Sequence, residues 1–222
     1  MRDEYGKQLA SLDAKLAEMG QLLITQIEGA MRSFRERDGE LAKKIIGMDK
    51  VCNEKEKEIE QLSMTLLLLQ QPVASDLRNV SASLKMVTDM ERMGDQAADI
   101  AEIVLDMKDA PISRLGDILE NMYNETITLT INAMNCFEEE DSHILIKLME
   151  DDDKIDDYFD KVKDEAISLI CTKPEVGHDV MDYVMAAKHL EKLADYAVHV
   201  IRWVYYYLEG VVPDKPKKQI VR

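Results

Sequence analysis

Hydrophobic residues in the first part of the chain recur every three or four positions. This spacing is typical of an amphipathic helix with one apolar face. The residues with this spacing are Leu9, Leu12, Leu16, Met19, Leu23, Ile27, Met31 and Phe34. The pattern predicts a first helix over residues 4–37, a second from Asp38 to about Gln70 and a third over residues 74–108, with breaks near Pro72 and Pro111. Three helices of this length predict an up-down-up bundle.

The second half of the chain repeats this plan. The segment "AMRSFRERD" at 30–38 aligns with "AMNCFEEED" at 133–141, and "MERMGDQAAD" at 90–99 aligns with "LEKLADYAVH" at 190–199. Self-similarity at a fixed distance indicates an internal duplication. The sequence therefore predicts helices over 112–139, 142–172 and 178–209. The predicted fold is all-α, with two tandem three-helix bundles at 1–110 and 111–210 and a flexible basic tail at 211–222.

A row of acidic residues lies along one side of the third predicted helix. Glu91, Asp95, Asp99 and Glu102 fall within a sector of about 80°. Neighbouring like charges on a helix cost about 0.2 to 0.5 kcal/mol each, whereas interleaved lysines would stabilise it. A bound cation reverses this balance, because hard metal ions take several carboxylate ligands. The row predicts one or more divalent or trivalent ions (Fe, Mn, Mg or Zn).

The repeat predicts a second acidic site. The row of the third helix recurs at an offset of 100, and the acids of the second helix recur at an offset of 104. The predicted ligands are Asp49, Glu91, Asp95 and Asp99 in the first half and Asp153, Asp157, Glu191, Asp195 and His199 in the second. Lys188 and Arg202 share the sector of the second row, so we expect weaker metal binding there.

Charge and composition narrow the functions that the chain could serve. A net charge of −16 over 222 residues repels nucleic acid, so we expect no nucleic-acid binding. No apolar stretch approaches 18 residues, so we expect a cytoplasmic protein. Met-rich helical surfaces favour a homodimer. The ExxH pair formed by Glu175 and His178 lies beside Pro174 and Gly177 in a predicted turn, which argues against a di-iron centre. We expect no enzyme, although a metal-dependent oxidase or phosphohydrolase and a metal-free helical scaffold remain alternatives.

The segment "QQPVASDLRNVSASLKMVTDMERMGDQAADIAE", with its second-half counterpart "AAKHLEKLADYAVHVIRWV", resembles the PhoU family of phosphate-signalling proteins. The resemblance implies paired three-helix bundles and metal ions held by ExxxD-type motifs, matched here by Glu91, Asp95 and Asp99 and by Glu191 and Asp195. It also implies a negative regulator that contacts the ATPase subunit of a phosphate ABC transporter and a sensor histidine kinase, reaching the membrane only through these partners. His199 replaces the usual Asn or Asp.

Overall fold

The computed structural model describes residues 2–70, 75–107, 113–138 and 141–214. Within these ranges every regular element is helical and no strand occurs, which confirms the predicted all-α class. Short 3₁₀ turns occur at Cys136–Glu138 and Pro174–Val176. The seven α-helices of the described ranges are α1 (Arg2–Glu36), α2 (Gly39–Gln70), α3 (Ser75–Asp106), α4 (Ser113–Asn135), α5 (Ser142–Glu150), α6 (Asp152–Thr172) and α7 (Gly177–Glu209).

Equivalent aspartates begin a helix in each repeat. Asp38 Oδ1 accepts hydrogen bonds from the backbone N–H groups of Glu40 and Leu41, both at 3.0 Å. Asp141 Oδ1 accepts from the N–H of His143 at 2.9 Å. A side-chain acceptor at this position satisfies a backbone donor that the helix leaves unpaired. The aligned Asp38 and Asp141 therefore each start a helix at the same place in the repeat.

The predicted fifth helix is divided into α5 and α6 at Asp151. Asp151 keeps right-handed helical angles, and its N–H bonds to Leu148 O, so the chain is interrupted for a single residue. Glu150 through Asp153 are four consecutive acids. Acids are unfavourable at the negative C-terminal end of a helix and favourable at a positive N-terminal end. Ending α5 and starting α6 here places Asp152 and Asp153 in a first turn.

The core has two bundles that share a central contact between α3 and α7. Helices α1, α2 and α3 pack together, as do α4, α6 and α7, and α3 also packs along α7. The buried face of α3 is therefore wider than one apolar stripe. It includes Met90, Met93, Ala97, Ala98 and Ala101. Small alanines let helices approach closely, and α7 carries several at its own buried positions.

The α3–α7 contact is antiparallel and nearly symmetric. Burial along the two helices matches at the predicted offset of 100, so Asp89 corresponds to His189 and Asp99 to His199. His199 Nδ1 lies 3.6 Å from Asp89 Oδ1, and His189 Nδ1 lies 3.5 Å from Asp99 Oδ2. Exchanging the two repeats therefore converts the Asp89–His199 pair into the His189–Asp99 pair. The symmetry point falls at Gly94 and its counterpart Ala194.

The second helices of the two repeats align at an offset of 103, so the predicted 104 is wrong. Buried Cys52, Ile59 and Ser63 of α2 match buried Ile155, Val162 and Ala166 of α6. A one-residue shift turns a helical side chain by about 100°. Asp49 therefore corresponds to Asp152.

The link between repeats and the end of the chain lie partly outside the described residues. The predicted boundary between the bundles at residue 110 lies within residues 108–112, which are outside the described ranges. Most of the predicted tail, residues 215–222, is also outside them, so both stay predictions. Helix α7 is capped at its C-terminus by Gly210, whose φ of 79° suits glycine. Arg78 Nε donates to Tyr207 O at 3.1 Å and so joins the start of α3 to the last turn of α7. In the part of the chain that the structure describes, no helix is long and apolar enough to cross a membrane.

Candidate metal centre

The predicted acids of α2 and α3 meet on the first repeat. The pKa of Asp95 is raised to about 6, by burial first, then by the charge of Glu91 and by its interaction with Asp49. Burial and the charges of Glu56 and Asp49 raise the pKa of Glu91. Each carboxylate is thus destabilised by desolvation and by its neighbours. A cation among them would relieve both effects.

Asp49 supplies an oxygen that lacks a donor. Asn53 Nδ2 donates to Asp49 Oδ2 at 3.0 Å. The other oxygen, Oδ1, is buried and accepts no hydrogen bond from any described residue. A buried carboxylate oxygen is normally hydrogen-bonded or bound to a cation, because its desolvation is otherwise uncompensated.

Asp99 is turned away from this group. Its Oδ2 lies 3.5 Å from His189 Nδ1, and its side chain is 45% exposed. Its charge still raises the pKa of Asp95. The predicted row is therefore divided: Glu91 and Asp95 interact with α2, while Asp99 contacts α7.

Cys52 lies beside the acidic group as a protonated thiol. Burial, with the charges of Asp49, Glu91 and Asp95, raises its pKa to about 12. Cys52 Sγ donates to Gln26 Oε1 at 3.2 Å, and Gln26 Nε2 donates to Gly94 O at 3.1 Å. Metal binding by cysteine needs the thiolate. The thiol therefore joins α2 to α1, and the oxygen ligands remain the candidates.

The acids fit a hard cation in chemistry, but their side chains would have to rotate to share one ion. Among the described residues, no three His, Cys, Asp or Glu side chains converge closely enough, as placed, to hold a metal. Carboxylates on adjacent helical turns reach a common point by changes of side-chain torsion angles. Asp49, Glu91 and Asp95 are the residues that would hold the ion, and Glu56, whose charge acts on Glu91, is an additional carboxylate.

The acidic residues of the second repeat have different surroundings. Lys188 forms an ion pair with Glu191, and its ammonium lies 5.3 Å from the centre of the Phe159 ring. Phe159 occupies the position that corresponds to Glu56 at the offset of 103. His199 lies next to Asp89 of the first repeat. A cation near Glu191 would have to compete with Lys188.

The two ligands predicted on α6, Asp153 and Asp157, do not occupy the buried position that corresponds to Asp49. Asp157 is exposed and Asp153 is half-buried, whereas Asp152, with 2% exposure, occupies the position of Asp49. Asp152 was therefore missed among the candidates, and so was Glu56 of α2. The spacing of Ile155, Val162 and Ala166 carries the signal that would have found Asp152, because it fixes which face of α6 is buried.

Comparison with known proteins agrees with the repeated fold. A family model described as "PhoU domain" matches the chain twice, at residues 16–104 and 112–204. The chain belongs to the PhoU family. A PhoU homolog of Streptococcus pneumoniae, named a phosphate-specific transport system accessory protein, is 28% identical over 96% of this chain and 99% of its own length. The Escherichia coli PhoU protein is 24% identical over 93% and 86%.

Solved PhoU structures share the architecture. A crystal structure titled as the phosphate transport system regulatory protein PhoU from Streptococcus pneumoniae superposes with a TM-score of 0.87 at 27% identity. It covers 95% of this chain and 99% of its own. PhoU from Pseudomonas aeruginosa gives a TM-score of 0.88 at 23% identity, which supports the fold alone. The predicted pair of tandem bundles is confirmed.

The raised pKa of Asp95 predicts a pH-dependent stability in protein stripped of metal. Between its ordinary value of 3.8 and about 6, the folded state holds a proton that the unfolded state has lost, so stability falls as pH rises through this window. Asp95→Asn removes that loss. We expect the variant to be about 1 kcal/mol more stable above about pH 7 and nearly unchanged near pH 4, after allowing for solvent screening of a half-exposed group.

Urea unfolding of chelator-treated protein across this pH range measures the effect. Asp106→Asn is the control, because Asp106 is exposed on the same helix. Parallel stability curves for the wild type and Asp95→Asn would contradict the prediction.

Proposed function

We propose that this PhoU-family chain is a cytoplasmic, metal-binding accessory regulator of phosphate uptake. It acts as a negative regulator: when phosphate is plentiful, it contacts the ATPase subunit of a phosphate ABC transporter and a sensor histidine kinase and keeps phosphate-starvation genes off. Its role is regulatory and not catalytic. It works as a homodimer and reaches the membrane through its partners.

The match of the family model to both repeats is the observation that carries this proposal. Relatives that align with nearly the whole chain are named as accessory proteins of a phosphate-specific transport system. The chain aligns with both repeats of those relatives, so surfaces of both bundles are available to a transporter.

The acidic group of the first repeat supports the metal part of the proposal. Asp49 Oδ1 is buried without a donor, and burial, together with the charges of neighbouring carboxylates, raises the pKa values of Glu91 and Asp95. In the metal-free chain these acids destabilise the contact between α2 and α3. A bound cation would join the two helices, and metal occupancy would then control the shape of the surface that a partner meets.

Removing the two α3 carboxylates tests metal binding and regulation together. In Glu91→Gln/Asp95→Asn we expect the metal content of purified protein, measured by elemental analysis, to fall by more than half, because the first repeat loses its best ligands. We also expect a phosphate-starvation reporter to stay on at high phosphate in cells that carry only this variant. Glu191→Gln/Asp195→Asn should lose less metal, because Lys188 already pairs with Glu191.

Glu102→Gln/Asp106→Asn is the matched control. It removes the same charge at the same spacing from the same helix, at exposed positions. This protein should keep its metal and repress the reporter. Equal metal content in the control and in Glu91→Gln/Asp95→Asn would exclude the proposed centre. Normal repression despite lost metal would exclude a metal-dependent regulator.

A further inference from the structure

A second site lies beside the acidic group, where α2, α3 and α7 meet the segment that follows α7. It is an open pocket of about 610 Å³. Its polar wall contains three permanent cations, one histidine and the only tryptophan of the chain. These residues are Lys85, Arg92, Arg202, His199 and Trp203. Such a concentration of cations is unusual in a chain of net charge −16.

The carboxylate of Asp89 belongs to the pocket wall but is largely covered by donors. Trp203 Nε1 donates to Asp89 Oδ2 at 3.2 Å. Arg92 Nη1 and His199 Nδ1 both lie 3.6 Å from Asp89 Oδ1. Its side chain is only 10% exposed, whereas that of Arg92 is 52% exposed. A ligand in the pocket therefore meets the cations more than this carboxylate.

Two of the cations have no carboxylate partner within the described ranges. Lys85 is exposed and forms no ion pair there, and Arg202 Nε donates to the backbone oxygen of Pro213 at 3.0 Å. That bond fixes one edge of the guanidinium and leaves its terminal nitrogens for another acceptor. Glu60 is the remaining acid of the wall. The accessible wall is therefore positive.

The pocket is not a general property of the repeat. At the offset of 100, Lys85 corresponds to Met185, and Arg202 corresponds to Glu102. Trp203 corresponds to Ile103. The duplicated fold alone therefore does not require these cations. Their presence in this pocket, and not at the equivalent position related by the repeat, indicates a function specific to the pocket.

We propose that this pocket binds a phosphate group, either inorganic phosphate or a small phosphomonoester. Arginine binds phosphate oxygens in pairs, and lysine adds a point charge, so Arg202 and Lys85 match a tetrahedral dianion. Arg92, which also lines the pocket, adds a third positive charge. The cations themselves indicate an oxyanion, and the choice of phosphate rests on the proposed function.

Trp203 allows direct measurement of binding, because it is the chain's single tryptophan and lines the pocket. We expect inorganic phosphate, titrated at constant ionic strength, to change its fluorescence saturably. In Lys85→Gln/Arg202→Gln the dissociation constant should rise at least about tenfold. Lys7→Gln/Lys44→Gln is the control, since it removes two exposed lysines outside the pocket and should bind as the wild type does.

Titrations with inorganic phosphate, with a phosphomonoester and with chloride identify the ligand. Saturation by inorganic phosphate identifies the free anion, and saturation only by a phosphomonoester such as glycerol phosphate identifies an ester. No saturation by either, or an equal change with chloride, would overturn the proposal. So would unchanged binding in Lys85→Gln/Arg202→Gln. If circular dichroism shows that the double variant is unfolded, Lys85→Gln alone serves, because its side chain is exposed; it should still weaken binding.

The same titration separates this site from the metal centre. Glu91→Gln/Asp95→Asn keeps the whole pocket lining, so it should bind phosphate as the wild type does. Loss of binding in that variant would place phosphate on a metal and overturn the pocket. A wild-type chain that contains no metal and does not regulate the reporter can still give the predicted titration, so the two proposals fail independently.

Discussion

Ile100→Ala is expected to lower the free energy of unfolding by about 2 to 5 kcal/mol, the range for truncating a buried aliphatic side chain. Ile100 is fully buried on α3. It lies one turn beyond Gln96, whose Oε1 is 3.0 Å from His189 Nδ1 of α7, so it is near the contact between the repeats. We expect one cooperative transition at lower denaturant, because α3 packs against helices of both bundles.

Chemical denaturation followed by circular dichroism measures this effect. Ile167→Ala on α6 is the matched control, because Ile167 is 62% exposed, and it should change stability by less than about 0.5 kcal/mol. If Ile100→Ala produced two separate transitions, the two repeats would be independent folding units and the central contact would be weak.

Asp89→Ala is expected to cost about 1.5 to 3 kcal/mol, the range for a hydrogen bond to a charged group. The truncation leaves the indole N–H of Trp203 without its acceptor and removes the negative charge beside Arg92 and His199. Asp89 is 7% exposed, so water can restore little of this interaction. Trp203 should show a shifted emission maximum in the folded variant.

Asp106→Ala is the control for Asp89→Ala. Asp106 is exposed at the end of the same helix, where a negative charge opposes the helix dipole, so its removal should be neutral or slightly stabilising. Equal losses of stability in the two variants would show that Asp89 contributes only its charge and not its buried contacts.

The helices and the duplication could be predicted from the sequence because a period of about 3.6 residues leaves a strong signal over 30 positions. Six predicted helices have counterparts in the structure. Prolines mark the breaks near residues 72 and 111, and Asp38 and Asp141 mark two helix starts. The single-residue interruption at Asp151 leaves no such signal, because Asp151 keeps helical angles.

The candidate site was less predictable because its geometry depends on neighbouring helices. A helical projection places Asp95 and Asp99 in one sector, yet Asp95 interacts with Asp49 of α2 and Asp99 lies next to His189 of α7. The projection contains no information about which helix packs on which side. In α6, adjacent acids occupy 152 and 153, so spacing of acids alone could not fix the register.

The crossed contact of α3 with α7 has an evolutionary consequence. A single ancestral repeat would leave the second face of its last helix uncovered, and a second copy crossing at the position of Gly94 and Ala194 would cover it. Two identical polypeptides could not differ at the sites they share. Two repeats joined in one chain can differ at equivalent positions, as Thr88 and Lys188 or Glu102 and Arg202 do, so the two surfaces related by the duplication carry different charges.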